Sequence, residues 1–436
     1  MPKLSHNPLK DIIGSLGKEL LNKKIALCVT GSVAAIATSE IARELMRRGA
    51  EVYPVLSKSA CELIGPKLME WATGNKPITE LTGNTEHIQL SGEWIGKVDV
   101  VMIAPATANT IGKIAAGIDD TTVTTVATTA LGSGIPIFIA PAMHYSMFRH
   151  PIVMDNINKL KKLGIQILEP EIVEGKAKMA PTSMIVEAVI RKFYRRDLKG
   201  VKFLVSAGPT IEYLDPVRII TNKSSGKMGI AVALEASRRG ADSTLITGVI
   251  QEKIPQGMRA LRTETSKEML RAVKKELART KYDVFVGCAA VSDFRPSNSH
   301  RTKIPTRYNK KVTIELEVTS KIVSAIKKLS SKTSLIVFKA EYGLSDSILI
   351  EKARQVMRSS RADLVVANHV GIEGAGFGSD TNEAYIIDRN GKTTRIPRMT
   401  KQDLARKILD YMINFMGLKG RQATEVCSDT SRAEVR

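Results

Sequence analysis

Short apolar runs alternate with longer amphipathic stretches along almost the whole chain. This is the pattern of α/β proteins, in which parallel strands covered on both faces read as continuous hydrophobic segments. The first such segment spans residues 24–30 and breaks at Gly31-Ser32. A helix is predicted over residues 34–48, with Arg47 and Arg48 set favourably against its C-terminal dipole and Gly49 ending it. Residues 51–56, 98–104 and 135–140 follow as strands. The pattern then restarts, with a strand at 201–205, a helix over 229–239 ended by Gly240, and strands at 243–246, 284–287, 335–338 and 364–367. The reading is an α/β chain with two open, mostly parallel sheets and a break near residues 194–200. It gives a head over 1–23, domains over 24–193 and 194–416, and a polar tail over 417–436 expected to be disordered.

Composition narrows the class. With 436 residues, 43% hydrophobic and 25% charged, each half is long enough to bury its own core, and disorder as the main state is excluded. No apolar run approaches the roughly 18 residues of a spanning helix. The start is polar and basic, unlike a signal peptide, so a cytoplasmic protein is expected. Cys28, Cys61, Cys288 and Cys427 are scattered without a CxxC pair, which argues against a disulfide framework or a cysteine zinc site. The net charge of +21 is unevenly spread: 24 basic and 19 acidic residues precede Val201, and 41 and 25 follow from there. That excess suggests anionic partners, whether nucleic acid, membrane surface or phosphorylated small molecules, or else a lysine-rich solvated surface. Aromatics are only 5% and do not interleave with basic residues, so a stacking platform for nucleic acid is missing.

The turns that follow the first-half strands carry candidate chemistry. Thr30-Gly31-Ser32 leads into a helix, where backbone N–H groups can hold an anion, although such a turn also serves as a plain tight connection. Ser57 and Ser59 offer hydroxyls at the same sheet edge. Residues 104–117 are rich in small side chains, which lets a flat ligand approach the backbone; alternatively Thr107 or Asn109 caps a tightly packed helix there. Residues 140–148, with Met143, His144, Met147 and Phe148, form either an apolar loop over a ligand or an ordinary packed loop. His87 is a candidate for proton transfer, or a histidine of the surface or core.

In the second half, residues 215–229 place Lys223, Lys227, two serines and two glycines just ahead of a helix, a dense set of donors for phosphate oxygens. Gly287, Cys288 and Ala289 follow a strand end and are small enough for a base or ribose to pack on their backbone. Asp293 can accept a ribose hydroxyl or hold a divalent cation. Lys303, and beyond it Lys310-Lys311, suit a triphosphate or a departing pyrophosphate. Neither glycine turn carries the dinucleotide fingerprint, which disfavours a nicotinamide dehydrogenase.

Taken in order, these motifs resemble the bifunctional phosphopantothenoylcysteine decarboxylase/phosphopantothenate–cysteine ligase family of coenzyme A synthesis, over residues 24–416. Gly31-Ser32, His87, residues 104–117 and residues 141–148 carry the decarboxylase half. Ala207-Gly208-Pro209-Thr210, Asp215-Pro216-Val217-Arg218, Ser224-Ser225-Gly226-Lys227-Met228-Gly229, residues 289–295, Ala367-Asn368 and residues 376–380 carry the ligase half. The resemblance implies a flavodoxin-like flavoprotein domain followed by a Rossmann-like ligase domain. It implies CTP- and Mg2+-dependent activation of 4′-phosphopantothenate as an acyl-cytidylate, attack by L-cysteine, and FMN-dependent decarboxylation through a thioaldehyde-type electron sink. By the same resemblance, Gly31, Ser32, Ser57, Thr107 and Asn109 hold the flavin, and His87 is the active-site histidine. Asn222 handles the acyl-cytidylate and Lys303 the activation step, while Lys227 binds substrate. Gly287, Cys288, Ala289, Asp293, Lys303, Phe338 and Lys352 meet the nucleotide. A homo-oligomer is implied, with flavin sites between decarboxylase subunits and the ligase halves pairing separately; nucleic acid and membrane are not implied partners.

Two positions depart from the family pattern. His144 stands where an asparagine usually holds the substrate carboxylate, next to Met143. The flap cysteine that protonates the ene-thiol is absent, and Lys176 lies nearest its place, with Lys178 beside it. Either lysine serves as acid or binds the substrate phosphate, and an ordinary lysine is a weak acid at neutral pH. A ligase joined to a non-decarboxylating flavoprotein half is therefore the alternative reading.

Overall fold

The computed structural model describes residues 7–305, 311–371 and 376–417. Lys310 and the polar tail expected past Gly417 lie outside the described residues. The chain divides into two compact units that meet between Phe193 and Tyr194.

In the first unit, five parallel strands form one sheet: β1 (Lys24–Val29), β2 (Glu51–Leu56), β3 (Val100–Ala106), β4 (Ile137–Pro141) and β5 (Gln166–Ile167). Their spatial order is β2-β1-β3-β4-β5. Every residue of β3 is buried, as a central strand covered on both faces demands. The core runs through Ala26, Cys28, Ile103, Ile139 and the helical Ile111, Val126 and Leu160. The connection after β1 differs from the predicted continuous helix. It opens as a 3-10 turn over Val33–Ala37, capped by the Ser32 hydroxyl, and becomes α-helical only over Thr38–Arg47. The segment ahead of β1 packs into the unit. Leu20 is fully buried, its N–H donates to the Arg48 carbonyl at 2.8 Å, and Glu19 pairs with Arg48 at 2.8 Å. The Leu20 N–H thus satisfies a carbonyl that the helix end leaves open.

The second unit is built on an eight-stranded sheet. Its strands are β6 (Lys202–Ala207), β7 (Asp242–Thr247), β8 (Arg259–Arg262), β9 (Val284–Gly287), β10 (Ser334–Tyr342), β11 (Leu364–Val370), β12 (Thr381–Asp388) and β13 (Thr393–Thr400). The order is β8-β7-β6-β9-β10-β11-β12-β13. The first six are parallel, in the order of dinucleotide-binding sheets, and β12 and β13 add an antiparallel edge. Phe203 and Phe285 are fully buried at the centre. The helix after β6 starts at Lys227 rather than at Gly229. Gly226 takes φ of 85° to start it, while position 229, inside the helix, is a glycine because a Cβ there would sit 2.5 Å from the Ala207 Cβ. The glycine serves helix–strand packing, not the boundary.

Candidate active sites

In an open parallel sheet a ligand site forms at the C-terminal edge, where the strand order reverses. In the first unit that point lies between β1 and β3. Thr30 joins the two strand ends: its hydroxyl donates to the Pro105 carbonyl at 2.8 Å and accepts the Thr107 N–H at 3.1 Å. Ser32, Ser57 and Thr107 each cap the helix that follows their strand, accepting from Ala34, Ala60 and Thr110 N–H respectively. Three helix N-termini thus converge on one edge and present positive backbone potential there. Gly31 is needed because a Cβ would lie 2.5 Å from the Ser59 Cβ. Asn109 is exposed as the second residue of the helix that follows β3.

His87 is the second residue of the short helix Glu86–Ser91, which follows Thr85 at φ of 53°. Among the described residues its buried Nδ1 has no hydrogen-bond partner. Leaving such a nitrogen unmatched costs about 1–3 kcal/mol, so a buried orphan marks a group held for something else. Beyond β4, Met143–His144 pairs with Lys176–Lys178, which pairs in turn with Glu171–Val173 across a two-residue turn at Glu174-Gly175. The register sets His144 opposite Lys176 and Met143 opposite Ala177. His144 and Lys176 are therefore cross-strand partners in one small sheet. His144 Nδ1 lies 2.9 Å from the Ser146 hydroxyl, and Lys178 pairs with Glu174 at 3.0 Å.

The second unit holds a cavity of about 520 Å³ at the β6/β9 switch point. Its walls bring together Asn222, Ser224, Ser225, Gly226 and Lys227 from the loop ahead of the first helix. Gly287, Cys288, Ala289 and Asp293 line it after β9, and Phe338 from β10. Asn222 is oriented by its amide donating to the Ala290 carbonyl at 3.1 Å. Burial pushes the Cys288 thiol up to about 12, so it stays neutral as part of the wall. Lys227 reaches Asp380 at 2.6 Å and Gly378 O at 3.3 Å; the Asp380 hydrogen bond holds its pKa above the ordinary value.

Two predicted nucleotide residues stand outside this lining. Lys303 sits on an exposed turn. Lys352 lies behind Glu341, which it pairs with at 3.2 Å while Lys339 pairs with the same carboxylate at 2.9 Å. Burial pulls Glu341 upward, yet its hydrogen bonds to the two lysines leave its pKa below the ordinary value. Sequence reasoning missed Lys321, Lys339, Glu341 and Lys401, all of which line the cavity. Lys321 is paired with Asp293, the candidate ribose contact. Their signal was weak because none adjoins a glycine turn. Among the described residues no three His, Cys, Asp or Glu side chains gather as a metal site, and no helix is long and apolar enough to cross a membrane.

The fold and these two edges define a two-domain α/β enzyme with a candidate ligand edge at the switch point of each parallel sheet. The comparisons agree: a family model described as flavoprotein matches residues 13–194, and that of the DNA/pantothenate metabolism flavoprotein C-terminal domain matches residues 198–416. The coenzyme A biosynthesis bifunctional protein CoaBC of Thermococcus kodakarensis is 48% identical over 403 residues, covering 92% of this chain and 98% of that one. Its counterparts in Methanocaldococcus jannaschii and Bacillus subtilis are 37% and 32% identical, over 88% and 89% of this chain and 92% and 96% of theirs. The chain belongs to the family of coenzyme A biosynthesis bifunctional proteins, enzymes that join a ligase to a flavoprotein decarboxylase.

Proposed function

We propose that the second unit joins L-cysteine to 4′-phosphopantothenate at the expense of CTP, and that the first unit decarboxylates the product with FMN. The observation that carries this reading is the β6/β9 cavity, which gathers Asn222, Lys227, the 287–289 backbone, Asp293 and Phe338 from separate stretches of sequence around a volume suited to a nucleotide. A carboxylate is a poor acyl donor. Its oxygen attacks the α-phosphorus of CTP, pyrophosphate leaves, and the cysteine amine then displaces CMP from the acyl carbon. Asn222 holds the acyl-cytidylate and Lys303 meets the charge on the departing pyrophosphate. Mg2+ is proposed as the partner of the triphosphate oxygens.

At the first site the residues fit a flavin. Three helix N-termini suit its phosphate, the small side chains of 104–117 suit a flat ring, and the unmatched His87 Nδ1 awaits a partner. When bound, FMN supplies the two-electron chemistry that turns the thiol end into an electron sink for loss of CO2. His87 moves the proton, and His144 with Met143 orients the substrate carboxylate. Lys176 and Lys178 face the same region from the flap, as proton donor or phosphate ligand. A cytoplasmic homo-oligomer is part of this proposal.

Purified protein given CTP, cysteine and 4′-phosphopantothenate should release pyrophosphate and CO2 and show oxidised-flavin absorbance. Product formation that ignores CTP would overturn the ligase reading. Flavin-bearing protein that accumulates 4′-phosphopantothenoylcysteine without CO2 would favour the ligase-only alternative, to which the His144 and Lys176 departures point.

A further inference from the structure

Lys401 is the first residue of the helix Lys401–Met416, and Lys227 is the first residue of the helix Lys227–Arg238. A cation at a helix N-terminus opposes the macrodipole, so each placement is unfavourable in isolation. The two helices share one hydrophobic core, and both lysines line the β6/β9 cavity. They grip the same loop from two sides, Lys227 through Gly378 O and Asp380, Lys401 through Gly376 O at 3.0 Å. Lys401 differs from Lys227 in two respects. It is only 7% exposed, and among the described residues no carboxylate forms an ion pair with its Nζ. Burial, and then the nearby Lys227, hold its pKa below the ordinary lysine value. A buried ammonium with one carbonyl acceptor is a costly arrangement unless something anionic completes it.

We propose that Lys401 and Lys227, with the two helix N-termini behind them, form a phosphate subsite that receives a phosphoryl group of a ligase substrate. The inference rests on the ligase reading and deepens it, because it assigns a binding role to Lys401. Two substrates carry the right chemistry, the CTP triphosphate and the phosphate monoester of 4′-phosphopantothenate. A lysine kept for a ligand and a lysine kept for the fold predict opposite stabilities. Asp380 and Glu252 offset the Lys401 charge only in part, so removing it should leave the ligand-free protein at least as stable, whereas removing a structural anchor should lower its melting temperature.

The test is calorimetric titration of CTP and, separately, of 4′-phosphopantothenate into the full-length wild type, K401M and K401R, with thermal unfolding of each ligand-free protein. The expected result is that K401M weakens at least one ligand tenfold or more, melts no lower than wild type, and is largely rescued by K401R. Weakening of CTP assigns the subsite to the triphosphate, and weakening of 4′-phosphopantothenate assigns it to the monoester. Wild-type affinity for both ligands in K401M, or a lower melting temperature with K401R no better than K401M, overturns the proposal. If the wild type binds neither ligand, the ligase reading itself fails.

Discussion

The Asp215 carboxylate accepts the Ile304 N–H at 3.1 Å, across 89 residues of sequence. The same buried carboxylate accepts from Val217 N–H at 2.8 Å, Arg218 N–H at 2.7 Å and the Arg218 guanidinium at 3.0 Å, and that guanidinium donates onward to Ile304 O at 3.2 Å. His300 N–H closes the clamp on Leu214 O at 2.9 Å. The turn that carries Lys303 is therefore fixed by the 215–218 loop. D215A should release that turn and slow CTP-dependent activation by about tenfold to a hundredfold, the usual cost of misplacing a catalytic group by an ångström or so. Decarboxylation of supplied 4′-phosphopantothenoylcysteine should be unchanged. Equal loss of both activities would mean that the variant is merely misfolded.

The same carboxylate predicts a pH dependence. Burial raises the Asp215 pKa, but the Ile304, Val217 and Arg218 N–H donors outweigh it and leave the folded value below the ordinary one. A lowered folded pKa contributes stability that is fully present above the unfolded value, about 3.9, and is lost as pH falls through the folded value. The melting temperature of D215N should therefore lie below wild type by a constant gap at neutral pH. The gap should shrink once the pH drops below about 4. A gap of the same size at pH 7 and pH 3 would assign the effect to something other than the charge.

The parallel strands were legible because burial on both faces makes each a continuous apolar run, as in β3 and β9. The antiparallel edge was not. Thr381–Asp388 puts Asn382 and Ala384 rather than large apolar residues at its first buried positions, and Thr393–Thr400 buries only Ile396, so neither shows the apolar alternation that marks a strand. The site divides in the same way. Ser32, Thr107 and Gly287 adjoin strand ends or glycine turns, so sequence neighbours suggest them, while Asn222 was singled out by the family resemblance. Lys401, Glu341 and the Asp215–Ile304 link depend on packing between elements far apart in the chain, which no local pattern encodes.

Among the described residues the buried His87 Nδ1 has no hydrogen-bond partner, so that ring nitrogen is not tied into a structural contact. H87N should lower decarboxylation by about a hundredfold to ten-thousandfold, the range for losing a general acid or base. The ligase rate should hold, so 4′-phosphopantothenoylcysteine should accumulate by mass spectrometry. Full CO2 release from H87N would remove His87 from the chemistry.

His144 and Lys176 face each other in antiparallel register, so they should act on one substrate group. Ser146 N–H points at the His144 Nδ1 at 3.4 Å, which leaves Nε2–H as the outward donor, a role an asparagine amide also fills. H144N should keep decarboxylation within about threefold of wild type, while H144L and K176M should each raise KM about tenfold. The double variant H144L/K176M should cost less than the product of the singles, because residues in contact couple. Strictly multiplicative effects would separate the two roles.

Glu341 pairs with both Lys339 and Lys352, at 2.9 and 3.2 Å, and its side chain is 18% exposed. Its charge neutralises part of the cationic wall that a triphosphate would meet. E341Q preserves the hydrogen-bonding shape and removes that charge. At a separation of roughly 6 Å in a solvated cleft, one unit of charge changes binding by about 0.7 kcal/mol, or about threefold. CTP should therefore bind E341Q about threefold more tightly at low ionic strength, and the gain should fade as salt shortens the screening length toward the size of the cavity. Weaker CTP binding at every salt concentration would instead show that Glu341 serves to hold Lys339 in place, and that the position of the lysine outweighs the net charge of the wall.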